Sequence, residues 1–253
     1  MTRVVKLGGS TLANGEWLSS FASAVAASPS GLVVVHGGGP DVTELSERLG
    51  LEVRWSGGRR VTTPESLDVV VMVLSGRTNK RLVRELAAAG VDAFGLSGED
   101  GGLLRARVVE DGRLGRVGEV VEVRVELLNR LIDSGHVPVV SPISLGEDGG
   151  ALNVNADDAA SAVAAAAGAS ELLFVTNVPG VLLDDGTRLE VLGASRAAEL
   201  LEDGTARDGM SVKVRAALRA IEIGVPRVRI GPVEMLFDPN TGTTIRADAE
   251  VVA

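Results

Sequence analysis

Cysteine is absent from all 253 residues, which excludes disulfides and thiolate metal sites and suits a cytoplasmic setting. Aromatic residues make up only 2% of a chain that is 45% hydrophobic, so its core has to come from Ala, Val and Leu. That composition favours tightly packed helices on a mainly parallel sheet over an aromatic-rich sandwich. No basic run offsets the formal charge of −9, which argues against a nucleic-acid or anionic-membrane partner. A basic leader followed by an apolar stretch is missing, as is any apolar run of membrane-spanning length, and a soluble, unprocessed protein is expected. There is also no Pro/Ser-rich linker, heptad array, solenoid repeat, P-loop or G-x-G-x-x-G fingerprint. One continuous α/β architecture remains, with an N-terminal lobe over about 1–150 and a C-terminal lobe over about 151–253.

What is present begins with a repeated unit. Residues 3–7 form a β-type run that stops at Gly8-Gly9-Ser10, and Trp17, Leu18, Phe21 and Val25 then recur at helical spacing. Residues 31–36 repeat the pattern, followed by Gly37-Gly38-Gly39 and a helix over 40–49 that Pro40 can open. Two such units indicate parallel strands joined by crossover helices. A glycine turn before a helix N-terminus leaves N–H groups unpaired beside the positive end of the helix dipole. An anion is the expected ligand there; the alternative is a tight connection with no ligand.

Further along, 52–62 reads as a hairpin or flap around Gly57-Gly58, and a long helical region from 63 continues after Gly76 as 80–89 before Gly90 ends it. A strand over 91–96 precedes a hairpin of 104–109 with 114–123, joined by Asp111-Gly112. The spacing predicts a helix over 124–134, a strand over 137–141, an alanine-rich helix after Asp158 and a strand over 171–176. A second hairpin over 181–192, helices over 195–202 and 211–223, and a strand over 227–230 follow.

Polar residues gather at the carboxyl ends of these strands, where open α/β sheets bind ligands. Lys6 abuts Gly8-Gly9, and Lys213 opens a helix, where a cation is favourable only with an anion between it and the helix end. Asp157 at the start of the alanine-rich helix suits either a capping role or a bridge between two lysines. Asn153 and Asn155 alternate in an extended stretch and share a face. Arg59 and Arg60 lie in the flap, where one guanidinium could fork onto a carboxylate. His36 and His136 have no partner at metal-ligand spacing and read as structural.

Taken in order, Lys6-Leu7-Gly8-Gly9, His36-Gly37-Gly38-Gly39-Pro40, Gly58-Arg59-Arg60-Val61-Thr62, Gly95-Leu96-Ser97-Gly98, Asn153-Val154-Asn155-Ala156-Asp157, Val178-Pro179-Gly180-Val181 and Asp208-Gly209-Met210 with Lys213 span nearly the whole chain. This ordered set resembles the acetylglutamate kinases of the amino acid kinase family. The resemblance implies a three-layer αβα sandwich around a mainly parallel sheet, and transfer of the ATP γ-phosphoryl group to the side-chain carboxylate of N-acetyl-L-glutamate. It assigns Lys6 and Lys213 to the transferring phosphoryl group and Asp157 to orienting them. Gly38, Gly39, Arg60 and Asn153 would hold the acceptor. Gly8, Gly9, Asn177, Val178, Gly180, Val181, Leu182, Thr205, Ala206, Arg207, Gly209 and Met210 would line the ATP site, with Mg²⁺ held mainly by ATP rather than by a protein metal site. Many relatives carry aspartate where this chain has Asn177. The chain starts a few residues before Lys6, and a homodimer with weak or absent arginine inhibition is expected. Two other readings are a kinase acting on an aminoadipyl group linked to a carrier protein and a non-catalytic amino-acid sensor; the joint presence of Lys6, Asp157 and Lys213 argues against the sensor.

Overall fold

The computed structural model describes residues 1–12, 14–28, 31–109 and 112–250, so Asp111, expected at a hairpin tip, lies outside the described residues. Its main sheet has the spatial order β12 (Val191–Gly193), β14 (Thr243–Arg246), β13 (Val228–Gly231), β11 (Glu171–Val175), β1 (Arg3–Leu7), β2 (Leu32–His36), β8 (Val137–Ser141), β5 (Ala93–Ser97). The strands from β13 to β5 are parallel, whereas β14 runs antiparallel to β13 and carries β12 with it. A small closed barrel of β6 (Leu104–Val108), β7 (Val117–Val123), β9 (Ile143–Gly146) and β10 (Ala151–Val154) stands beside the sheet.

Strand alternation sorts the core into two layers. Val4, Val33, Val35, Leu172 and Phe174 pack toward α7 (Ala156–Ala166) and α9 (Asp208–Glu222), against Ala160, Val163, Val214 and Ala217. Val5, Leu7, Val34, Leu173 and Val175 face the other way, onto Leu18 and Phe21 of α2 (Gly15–Ala26) and Leu82 and Leu86 of α5 (Asn79–Ala88). Fully burying each Leu or Phe of these layers is worth about 1.5–3 kcal/mol. Lys6 alternates with Val5 and Leu7, so it shares the face of Val4 and points to the α7 and α9 side. The expected αβα sandwich is therefore present, and its parity decides which layer the lysine meets.

Several expectations require correction. The hairpin expected over 181–192 is present only in its first part, where Leu182 bridges Arg188, the Leu183 N–H donates to Thr187 O and the Leu189 N–H to Val181 O, while Val191–Gly193 pairs with β14 instead. The long helical region expected from 63 does run on past Gly76, but with a change of geometry: α4 (Pro64–Val71) passes into a π-helical stretch, Met72–Thr78, and on into α5. The last long helix starts at Asp208 rather than Ser211, which moves Lys213 into its second turn. Strands β9, β10 and β14 were not anticipated. The hairpin of β6 and β7 does pair antiparallel, as part of the barrel. The remaining helices are α1 (Gly9–Leu12), α3 (Gly39–Arg48), α6 (Val125–Asp133) and α8 (Ala194–Glu202).

Candidate active site

A cavity of about 260 Å³ opens at the carboxyl ends of β1 and β2, bounded by the glycine turns, the flap and the start of α7. Lys6 enters from β1, and its Nζ lies 2.7 Å from Asp157 Oδ1 in the first turn of α7. Both residues are buried, with 9% and 6% exposure. Asp157 does not cap the helix: Asn155 Oδ1 accepts from the Asp157 and Asp158 N–H groups at 2.8 and 3.3 Å. The capping role proposed for Asp157 thus belongs to Asn155, which frees the Asp157 carboxylate for Lys6. Asn153 and Asn155 both line the cavity, but with different tasks, since Asn153 lies on β10 and donates to Thr62 Oγ1 at 3.0 Å.

Lys213 approaches from α9, its Nζ donating to Gly209 O at 3.2 Å one turn back. Burial holds its ammonium below the usual lysine range, the charge of Lys6 adds to this, and Asp157 opposes it. Two lysine charges thus act beside one carboxylate, Lys6 in contact with it and Lys213 under its electrostatic influence, a local excess of positive charge in a chain whose net charge is −9. An anion placed there would relieve the repulsion.

The glycines owe their identity to space. A Cβ on Gly38 would lie 2.6 Å from Leu74 Cδ2, and one on Gly9 would lie 2.7 Å from Pro40 Cδ. The two turns therefore touch, and the N-terminus of α3, with Gly38 as its cap and Gly39 as its first residue, lines the cavity. Helix N–H groups there lack intrahelical acceptors, and α7 directs its own N-terminus at the same space.

At the other end of the cavity, β3 (Trp55–Ser56) and β4 (Arg59–Arg60) form the flap, joined by Gly57 and Gly58 with φ of +55° and +78°. Two positive φ values make a turn whose twist suits a two-residue hairpin, and the register sets Trp55 opposite Arg60. The Arg60 guanidinium lies 4.6 Å from the Trp55 ring centroid and donates to Gly39 O at 3.1 Å and Thr43 Oγ1 at 2.6 Å. It is 9% exposed, and among the described residues it has no carboxylate partner. Burial lowers its pKa, and the charge of Glu47 counteracts this. A buried guanidinium of this kind invites a ligand carboxylate.

Of the residues assigned to ATP, Gly9 lines this cavity, whereas Gly8 and the assigned residues of 177–182 and 205–210 do not. Asn177 and Val178 follow the end of β11, and Arg207 Nη2 donates to Asp184 Oδ1 at 2.5 Å, tying the 205–210 stretch to the segment just after Leu182. Val181 and Ala206 are core residues, and the Val181 N–H is taken by Thr243 Oγ1 at 2.8 Å. Gly8 has open space beside it. His36 is wholly buried: its Nδ1 lies 2.8 Å from Gly37 O and its Nε2 3.1 Å from Asn79 Nδ2, which assigns the proton to Nδ1. His136 pairs with Asp92 at 3.0 Å, away from the cavity. Sequence reasoning missed Trp55 and Thr43, which steady Arg60. A two-residue turn at Gly57-Gly58 would have revealed the Trp55–Arg60 pair. It also passed over Asp158, which is adjacent to Asp157 and bound to two arginines.

The sequence profile described as the amino acid kinase family matches residues 1–232. A protein of Roseiflexus sp. named acetylglutamate kinase is 48% identical over 251 residues, covering 98% of this chain and 95% of its own. A protein of the same name from Geobacillus kaustophilus is 45% identical, with coverage of 99% and 98%. A crystal structure of the protein smu.665 of Streptococcus mutans superposes with a TM-score of 0.82 at 29% identity, covering 98% and 99% of the two chains. With a cationic pocket at the strand ends of an αβα sandwich and likeness along its whole length, the chain belongs to the amino acid kinase family.

Proposed function

We propose that the protein transfers the γ-phosphoryl group of ATP to the side-chain carboxylate of N-acetyl-L-glutamate, a step of arginine biosynthesis. The observation that carries this reading is one cavity lined by two buried cations, Arg60 from the flap and Lys6, whose partner Asp157 also acts electrostatically on Lys213. A small dicarboxylate suits such a cavity, and the names of the most similar relatives support acetylglutamate. Arg60 holds the α-carboxylate, while Asn153 and the main chain of Gly38 and Gly39 hold the rest of the acceptor. An oxygen of the side-chain carboxylate attacks the γ-phosphorus, the bond from that phosphorus to the β,γ-bridging oxygen breaks, and ADP leaves with the electron pair.

The acceptor is already ionised at neutral pH, so no general base is needed. Acceptor and donor repel each other, and catalysis consists of positioning and charge neutralisation. Lys6 and Lys213 supply positive charge where it is required, and Asp157 keeps the two ammonium groups in register. Mg²⁺, held mainly by the nucleotide phosphates, would neutralise charge on the β and γ groups. The 177–182 and 205–210 stretches and Gly8-Gly9 form the nucleotide side, with Asn177 as an uncharged contact. The C-terminal part of the chain thus mainly takes ATP and the N-terminal part mainly the acceptor, with Gly8-Gly9 and Asn153 reaching across.

We also infer a cytoplasmic homodimer. The open edge of β5, with Phe94 exposed, supports a partner there, and light scattering that gives a monomer or hexamer would overturn it. Among the described residues no helix is long and apolar enough to cross a membrane. Hydroxylamine trapping with ATP and Mg²⁺ tests the activity against a panel of acceptors. Acyl hydroxamate should form with N-acetylglutamate. Formation only with a carrier-linked aminoadipate, or with no acceptor at all, would replace this reading by the carrier kinase or the sensor.

A further inference from the structure

With two residues per strand, the flap is too short to keep its place unaided. Adjacent strand residues face opposite ways, and its two arginines accordingly reach opposite walls of the cavity. Arg60 grips the α3 side at Gly39 O and Thr43 Oγ1. Arg59 extends to the other wall, where its Nη2 lies 3.3 Å from Asp158 Oδ2 in the first turn of α7. The second oxygen of that carboxylate, Oδ1, accepts from Arg219 Nη2 of α9 at 2.7 Å. Asn155 Oδ1 pins the Asp158 N–H, so the carboxylate stands at a fixed point one residue from Asp157. A single side chain therefore joins the flap, the helix that carries Asp157 and the helix that carries Lys213.

We propose that Asp158, with Arg59 and Arg219, is a positioning clasp that registers closure of the flap over the acceptor with the two helices bearing the phosphoryl-handling charges. The inference rests on the reading of this cavity as the acceptor site. Side-chain exposures of 32% for Arg59, 22% for Asp158 and 52% for Arg219 leave the clasp partly solvated. Such bonds are weak enough to open and close in each cycle, unlike the buried Lys6–Asp157 pair. Because the clasp spans both sides of the site, nucleotide that steadies α9 favours the closed flap, and acceptor that closes the flap steadies α9. Linkage makes the two effects equal.

Trp55 offers a readout that needs no turnover. It sits on the flap against Arg60, and Trp17→Phe leaves it as the only tryptophan of the two in the chain. In that background, N-acetylglutamate should change Trp55 emission, and a non-hydrolysable ATP analogue with Mg²⁺ should lower the midpoint by about two- to five-fold, the range available to partly solvated ion pairs. Asp158→Asn and Arg59→Gln should abolish that shift, while Arg59→Lys keeps most of it. In turnover, both disruptive variants should raise KM for acetylglutamate by about two- to five-fold with kcat changed by less than about two-fold. An unchanged midpoint shift in both variants, a wild type with no shift, or a fall in kcat without a rise in KM would overturn the clasp. A wild type that turns over no N-acetylglutamate would instead sink the acceptor reading, and the clasp with it.

Discussion

Asparagine at position 157 would keep the shape of the side chain and remove its charge, leaving the Lys6 ammonium, now 2.7 Å from a carboxylate oxygen, buried without that counter-ion. Breaking a buried pair from one side costs about 3–5 kcal/mol. In a chain of this size each kcal/mol moves Tm by about 2–4 °C, so the melting temperature should fall by roughly 10 °C. Lys213 adds to the loss, since Asp157 is the group that opposes the lowering of its pKa. Turnover should fall by about 10²–10³, as when one preorganised electrostatic group is removed. The discriminating variant is Lys6→Met/Asp157→Leu, which removes both charges. Its stability should return to within about 1–2 kcal/mol of the wild type, while turnover stays lost. Calorimetry and an ADP-release assay read the two quantities separately. A double variant as unstable as Asp157→Asn, or an Asp157→Asn enzyme with near-normal turnover, would refute the reasoning.

Lys6→Ala and Lys213→Ala should each lower kcat by about 10²–10³, and near-normal turnover in either would remove that lysine from the mechanism. Gly38→Val places side-chain atoms where a Cβ alone already meets Leu74 at 2.6 Å, in the wall of the cavity proposed to take the acceptor. Acceptor KM or kcat should suffer more than ATP KM, and the reverse pattern would move the glycine turn to the nucleotide. His36 is held neutral by burial, its pKa lowered from 6.5 to about 4. The unfolded chain binds a proton between those values that the native state does not, so stability should fall as pH drops from 6.5 toward 4, by about 3 kcal/mol, and stay level above. Urea unfolding at pH 7 and 4.5 measures this, and an equal pH slope in His36→Gln would dismiss His36 as the cause.

Much of the site was legible because strand parity and glycine turns are local. Val4-Val5-Lys6-Leu7 alternates between the two core layers, so once the strand is accepted its lysine must face one helix layer. Which helix it meets depends on β1 lying beside β11 and β2, a long-range fact. Around 155–157 local chemistry was ambiguous, since asparagine and aspartate both cap helices, and only the 2.7 Å contact with Lys6 assigns the roles. Asp184-Asp185-Gly186 has the composition of a hairpin turn, yet Val191–Gly193 finds its partner in β14. The barrel was hidden for the same reason: β9 and β10 have four residues each, and β10 closes the ring by parallel pairing with β7. Arg60 lines the cavity, and its anchors on Trp55 and Thr43 come from the flap register and from α3, the latter a contact that no local pattern displays.

The most direct test labels both oxygens of the side-chain carboxylate of N-acetylglutamate with ¹⁸O, lets the enzyme act with ATP and Mg²⁺, and traps the product with hydroxylamine. Attack of hydroxylamine at the acyl carbon releases phosphate together with the oxygen that bonded to phosphorus. The account predicts inorganic phosphate carrying one ¹⁸O per hydroxamate formed. Unlabelled phosphate, or ATP consumption without hydroxamate, would contradict phosphoryl transfer to that carboxylate.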